Sequence, residues 1–240
     1  LVSSVPIRWG GMHFDCGGLV FNYSSNIIKY GTNYSVLAVA KFDCYALGGV
    51  AAAGRQALVW PNGDSQMLWQ ETNGSIKMTV YDVGDRTWKP VSYDISSIYN
   101  KINLYYGYFA GSEEGIKIFD IYGNMIANVY RSDIVEPLSG TTNTLCVGSN
   151  AYHGYKLIGD FYAVAVFDQV LTQEELSDLT KNWMCEDCYK NIDGCIFACI
   201  FDRLKYGDKP YDFVNDVYGE PVDPNHPPRW KLRLVKDMEG

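Results

Sequence analysis

Apolar and polar residues alternate with a period of two along most of this chain, the signature of half-buried strands. The stretch Tyr34 to Asp43 (YSVLAVAKFD) puts Leu37, Val39 and Lys41 on one face and Val36, Ala38, Ala40 and Phe42 on the other. Shorter runs of the same kind are predicted at Met12 to Cys16, Leu19 to Tyr23, Gln56 to Trp60, Gln66 to Glu71, Ser75 to Asp82, Thr87 to Tyr93, Lys101 to Ala110, Gly115 to Ile121 and Met125 to Tyr130. Turn-forming residues separate them, among them Pro61-Asn62-Gly63-Asp64, Asn73-Gly74 and Tyr122-Gly123-Asn124, and Asn-Gly between alternating runs is a strong hairpin signal. With about twelve strands the chain has enough for two packed sheets.

The run from Lys156 to Phe167 breaks the alternation, with Phe161, Ala163, Ala165 and Phe167 on one parity and Tyr162, Val164 and Val166 on the other. A strand apolar on both faces is expected at the centre of a sheet. Thr172 with Glu175 three residues on forms a capping box, so a short helix is predicted to start there, with Leu176, Leu179 and Trp183 on its inner face. The fold class is therefore all-β: a sandwich of two antiparallel sheets with one short helix.

The closing stretch resembles a known pattern. A glycine-flanked strand ending in an aromatic-acidic pair and running into Leu-Thr-Gln-Glu-Glu-Leu (Gly159, Asp160, Tyr162, Val164, Val166, Phe167, Asp168, Leu171, Thr172, Glu175, Leu176) resembles the end of concanavalin A-like lectin/glucanase domains, in particular their laminin-G-like, pentraxin-related branch. Asp160 follows the glycine directly, a departure in spacing. The opening WGGMHFDCGGLVF and the hairpin IKIFDIYGNMIANV are similar to the same family's first strand and an inner hairpin. The resemblance spans residues 10 to 183 and implies a jelly-roll sandwich. It also implies calcium at the sandwich rim, with Asp15 and Asp160 at the positions of the family's first-strand and closing-strand acids. Alternatively both acids cap strand ends and bond to loop amides; no cofactor is required.

Residues 184 to 240 differ in chemistry. They carry Cys185, Cys188, Cys195 and Cys199 and a proline-rich end, VYGEPVDPNHPPRWKL, and prolines exclude helix and central strand there. We divide the chain into a sandwich over 1–183 and a C-terminal extension over 184–240, which is expected to supply an extra strand, around Cys195 to Arg203, or an interaction arm. The run Gly194 to Asp216 followed by Pro227-Pro228-Arg229-Trp230 resembles the lead-in to the family's first strand, and Pro6-Ile7-Arg8-Trp9 looks like the end of another such lead-in. The four cysteines are candidates for disulfides, buried thiols or a zinc site; Cys16 and Cys44 could meet across neighbouring strands.

Composition narrows the partners. With 15% aromatic residues, 19 Tyr and only 20% charged residues, the chain suits pleated packing surfaces. A net charge of −8 disfavours nucleic acid and anionic surfaces, and no apolar run is long enough to insert in a membrane. The start at Leu1, without initiator Met or signal peptide, reads as a processed or excised piece.

Sugar rings present apolar C–H faces edged by hydroxyls, so aromatics flanked by amides and carboxylates suit them. Two loops meet that description: one with Trp60, Asn62 and Asp64, the other with Asn150, Tyr152, His153 and Tyr155. Tyr105, Tyr106 and Tyr108 could add a platform on a concave sheet face. Three Asn-x-Ser sequons, at Asn22, Asn33 and Asn73, are acceptors in a eukaryotic secretory route alone. Catalytic patterns are sparse: there is no E-x-D-x-x-E strand, H-E-x-x-H or G-x-S-x-G. The expected function is a non-catalytic extracellular binding or adhesion module for carbohydrate, or for a surface protein, at a cell or virion surface. The alternatives are a structural subunit of a virus particle or cell-surface assembly that associates through residues 184–240, and, third, a glycan-degrading enzyme.

Overall fold

The computed structural model describes residues 7–8, 11–43, 56–61, 68–70, 74–149, 157–230 and 233–234. In chain order the strands are β1 (Ile7–Arg8), β2 (Met12–Gly17), β3 (Leu19–Asn22), β4 (Ile28–Tyr30), β5 (Tyr34–Phe42), β6 (Gln56–Pro61) and β7 (Leu68–Gln70). There follow β8 (Ser75–Asp82), β9 (Thr87–Asp94), β10 (Asn103–Ala110), β11 (Glu113–Asp120), β12 (Met125–Arg131), β13 (Gly140–Thr142), β14 (Thr144–Val147) and β15 (Leu157–Phe167). Helices α1 (Gln173–Lys181) and α2 (Glu186–Lys190) lead to β16 (Cys195–Ile200), α3 (Arg203–Tyr206), β17 (Tyr211–Asp212), β18 (Val217–Tyr218), β19 (Glu220–Pro221), β20 (Arg229–Trp230) and β21 (Arg233–Leu234).

Two sheets form the sandwich. The eight-stranded sheet runs β12-β11-β10-β5-β15-β2-β20, with β16 also against β15; the seven-stranded sheet runs β19-β3-β14-β6-β7-β8-β9. Phe14, Val36, Ala38, Phe42, Phe161 and Val164 of the first sheet meet Leu19, Phe21, Leu58, Leu68, Ile76 and Leu145 of the second in one buried core. The β5 residues divide between faces as their alternation predicts, with Val36, Ala38, Ala40 and Phe42 inside and Leu37 and Val39 outside.

The eight-stranded sheet is covered on its outer face too. Leu171, Leu176, Leu179 and Trp183, from α1 and its flanks, pack with Tyr189, Ile192 and Phe213 on Leu37, Val39, Tyr106 and Ala165. Helix α1 is held at its start by the expected capping box: the Thr172 hydroxyl accepts from the Glu175 amide at 3.2 Å and the Glu175 carboxylate accepts from the Thr172 amide at 2.7 Å. Such a cap is worth about 1 kcal/mol. Because a second layer lies here, the tyrosine platform expected from sequence does not exist. Tyr105 is in the inter-sheet core, and Tyr106 and Tyr108 are buried under the helical layer, where the Tyr106 hydroxyl accepts from the Leu171 amide at 2.8 Å.

Strand β15 is central and apolar on both faces, but its parity changes partway. Phe161 pairs with Ala40 and Ala163 with Val39, so Tyr162 is an extra residue, a β-bulge. Phe161 therefore shares the inner face with Val164 and Val166 instead of with Ala163.

The segment after Trp183 contributes to both sheets. β16 continues the β15 edge that β2 leaves, pairing Ala163–Phe167, while β2 pairs Leu157–Phe161; the Gly11 amide donates to the Phe201 carbonyl at 2.8 Å where the two meet. β19 pairs with β3, β20 with β2 and β21 with β1. The extra strand thus lies in the chain's own sandwich. Among the described residues no helix is long and apolar enough to cross a membrane.

Candidate functional site

The register of the eight-stranded sheet assembles a polar group that no local motif announces. Lys41 on β5, Asp160 on β15, His13 on β2 and Arg229 on β20 are successive cross-strand partners, so they form one row on the outer face. Two features fix the row. Gly159 lets β5 approach, since a Cβ there would lie 2.1 Å from the Lys41 carbonyl oxygen, and the bulge at Tyr162 aims its ring to the same side as Asp160.

Asp160 is completely buried. His13 Nδ1 lies 2.8 Å from its Oδ1, the Tyr162 hydroxyl donates to its Oδ2 at 3.4 Å, and Lys41 Nζ is 3.9 Å from that same oxygen. A carboxylate can only accept, so His13 carries its proton on Nδ1 and presents Nε2 as an acceptor when neutral. Asp43, just beyond β5, completes the group: its Oδ2 is 3.6 Å from His13 Nδ1 and its Oδ1 2.5 Å from Lys41 Nζ. The side chains of His13, Asp43 and Lys41 remain 33%, 26% and 21% exposed, so a buried carboxylate orients groups that solvent reaches.

Of the residues singled out from sequence, Asp160 lies at the centre of this group and Asp15 does not. Asp15 pairs with Ile158 on β2 and is exposed. Ligand atoms of His13, Asp43 and Asp160 all fall within 4.8 Å of one another, the single such set among the described residues. One imidazole nitrogen, two carboxylates and a lysine ammonium already seated on both differ from the six to eight oxygens calcium takes. Asp15 is not in that set.

Trp60 sits on β6 and is 6% exposed, packed with Cys146 and Val20 on the outer face of the seven-stranded sheet; its ring is not an open stacking surface. Asn62, Asp64, Asn150, Tyr152, His153 and Tyr155, and Cys44, lie outside the described residues. The chain nonetheless leaves toward the two loops at opposite ends of one strand pair, because Pro61 pairs with Leu145 while Val59 pairs with Val147. The loop after residue 149 enters β15 three residues before Asp160, about 10 Å along a strand.

The four C-terminal cysteines do not converge. Cys185, Cys188, Cys195 and Cys199 are free thiols. Cys195 and Cys199 belong to one extended strand, and residues four apart on a strand are separated by about 13 Å, too far for one zinc ion or one disulfide. Burial pushes the Cys195 thiol up to about 12 and that of Cys199 further, which suits inert packing. Cys146, buried in the seven-stranded sheet, is likewise free and raised to about 12 by burial.

His13, Lys41 and Asp43 were not anticipated from sequence. The usable signal was that Met12–Gly17 and the closing strand resemble the first and last strands of one fold, which makes His13 and Asp160 candidate neighbours.

No protein-family model matches the chain, and no curated protein sequence does. Solved structures do. The chain is similar to the CBM40 module of Ruminococcus gnavus IT-sialidase bound to α2,3-sialyllactose, with TM-score 0.51 and 13% identity over 74% of this chain and 100% of that one. It is also similar to domains LG4-5 of the mouse laminin α1 chain (TM-score 0.49, 9% identity, 66% and 41% covered). A third is the heptameric SAP-like pentraxin of Limulus polyphemus (TM-score 0.46, 12% identity, 75% and 84% covered). Identities this low speak to the fold alone, and the fold is the concanavalin A-like jelly roll that the closing strand resembles.

Proposed function

We propose that this concanavalin A-like jelly roll is a non-catalytic carbohydrate-binding module, working outside the cell or on a virion surface, with its site around Asp160. The observation that carries the reading is the pre-oriented array of His13, Asp43 and Lys41 over a buried carboxylate. Vicinal sugar hydroxyls each donate and accept, and an array alternating carboxylate, imidazole and ammonium offers both roles at fixed spacing. Arg229 in the same row adds a cation for an acidic sugar. Asn150, Tyr152, His153 and Tyr155, from the loop that runs into β15, are the proposed source of the stacking surface. The CBM40 neighbour bound to sialyllactose supports an acidic glycan as the class to try first.

An array of neutral and sialylated glycans, followed by calorimetry on the best binder, tests this. Asp43→Ala and His13→Ala are expected to weaken binding at least about tenfold, or 1.4 kcal/mol, while leaving thermal unfolding of the half-exposed Asp43 variant close to the parent. Binding that ignores both substitutions would move the site elsewhere, and a blank array would remove the carbohydrate reading.

A structural subunit is the second reading, favoured by one flank. β12 is the outermost strand of its sheet and β9 of the other, and this side exposes Tyr130 (63%), Val135 (78%), Met125 and Tyr122. An open edge with exposed apolar residues is a template for pairing with a second copy. Light scattering of the full chain is expected to show a concentration-dependent dimer that Tyr130→Lys abolishes; a monomer at every concentration ends this reading.

A further inference from the structure

Cys185 and Cys188 are unlike the other described cysteines. Cys185 caps the start of α2 in extended backbone (φ −94, ψ 111), and its carbonyl accepts from the Cys188 amide at 3.2 Å. That hydrogen bond closes a single turn, which brings the two Cα atoms within the span a disulfide bridges.

The two differ in ways that assign roles. Cys185 is exposed, and it lines an open depression with Lys181, Asn182, Trp183 and Met184. Cys188 is half-buried against the helical layer, and its thiol is pushed up to about 11 by burial, with Cys185, Asp187 and Asp178 adding to the effect. Exposure makes Cys185 the sulfur a reagent meets first. Cys146 and Cys199 are buried, and Cys195 packs half-buried against the helical layer.

We propose that Cys185 and Cys188 form a thiol–disulfide exchange site that takes small-molecule disulfides. The Cys185 thiolate attacks one sulfur of R–S–S–R, whose S–S bond breaks and whose first half leaves as a thiolate that takes up a proton. Cys188, losing its proton, then attacks Cys185 Sγ, breaks the mixed disulfide and expels the second half as R–SH. Two thiols become one intramolecular disulfide, two electrons pass to the reagent, and the reagent leaves as two thiols. Next to Cys185, Glu186 is paired with Lys190 and Lys205 and accepts from the Tyr206 hydroxyl at 2.9 Å.

The test uses the native full chain, reduced and then equilibrated with glutathione and glutathione disulfide, alkylated and peptide-mapped. The expected product is a Cys185–Cys188 bond with no lasting glutathione adduct. In Cys188→Ser the adduct should persist on Cys185, and in Cys185→Ser the remaining Cys188 should react at least about tenfold more slowly than Cys185 does in Cys188→Ser. If both thiols of the parent stay open to alkylation at every glutathione ratio, or if the parent accumulates the same adduct as Cys188→Ser, the proposal is wrong. The parent measurement stands even if a variant misfolds.

Discussion

Replacing Glu114 by glutamine is expected to remove most of the pH dependence of this protein's stability between about pH 4.5 and 9. Glu114 lies on β11 and points between the sheets with Ile116 and Ile118. It is fully buried, neither carboxyl oxygen meets a hydrogen-bond partner, and the nearby Tyr34 hydroxyl is equally unsatisfied. Burial pushes its carboxyl from 4.5 up to about 9, while the charge of Arg131 pulls the other way more weakly. The folded chain therefore holds a proton that the unfolded chain releases above about 4.5. Stability is present in full below that pH, falls as pH rises toward about 9, and is flat beyond, with a slope near 1.4 kcal/mol per unit. By pH 7 the accumulated loss is about 3 kcal/mol, a large part of the 5–15 kcal/mol typical of a domain. Glutamine cannot ionise, so the difference between variant and parent in urea midpoints should widen steadily with pH. Parallel curves would mean that the carboxyl finds a partner and titrates normally.

Asp212→Ala is expected to destabilise the fold by about 1–3 kcal/mol for each buried donor it leaves without an acceptor. This carboxyl is fully buried on β17. It accepts from the amides of Ala198 (3.2 Å) and Val214 (3.0 Å), from the Asn215 side chain (2.8 Å) and from the Tyr23 hydroxyl (3.2 Å). Ala198 is on β16 and Tyr23 directly follows β3, so one side chain ties the late segment to both sheets. Alanine leaves the Ala198 amide and the Tyr23 hydroxyl buried without that acceptor. Urea unfolding should show a lower midpoint at unchanged slope, and Asp212→Asn, which keeps an acceptor oxygen, should lose less. A shift below about 1 kcal/mol would show that water or neighbouring carbonyls replace the carboxylate.

What sequence could reveal followed from how local each signal is. The faces of β5, the capping box at Thr172 and the centrality of β15 are written in residues a few positions apart, and they stand. The parity of β15 misled at Phe161, because a bulge is a property of the pairing with β5 and leaves no mark in β15 itself. Tyr106 and Tyr108 read as exposed because nothing in their strand tells that α1 will lie over them. The spacing of Cys195 and Cys199 allowed a shared ion only until the segment was known to be extended. Asp160 was legible through its motif, but His13 is 147 residues away, and strand order in a sandwich is set by global packing.

The shared edge of β15 also has a consequence for the order in which the chain folds. β2 finds β15 only after residue 157, and β16 fills the rest of that edge some thirty residues later still. Loop closure over such distances is slow. A nascent chain that has just released β15 from the ribosome carries a central strand with half of one side open, apolar on both faces. Until β16 docks beside it, that strand offers the kind of unpaired apolar edge on which a neighbouring chain can pair.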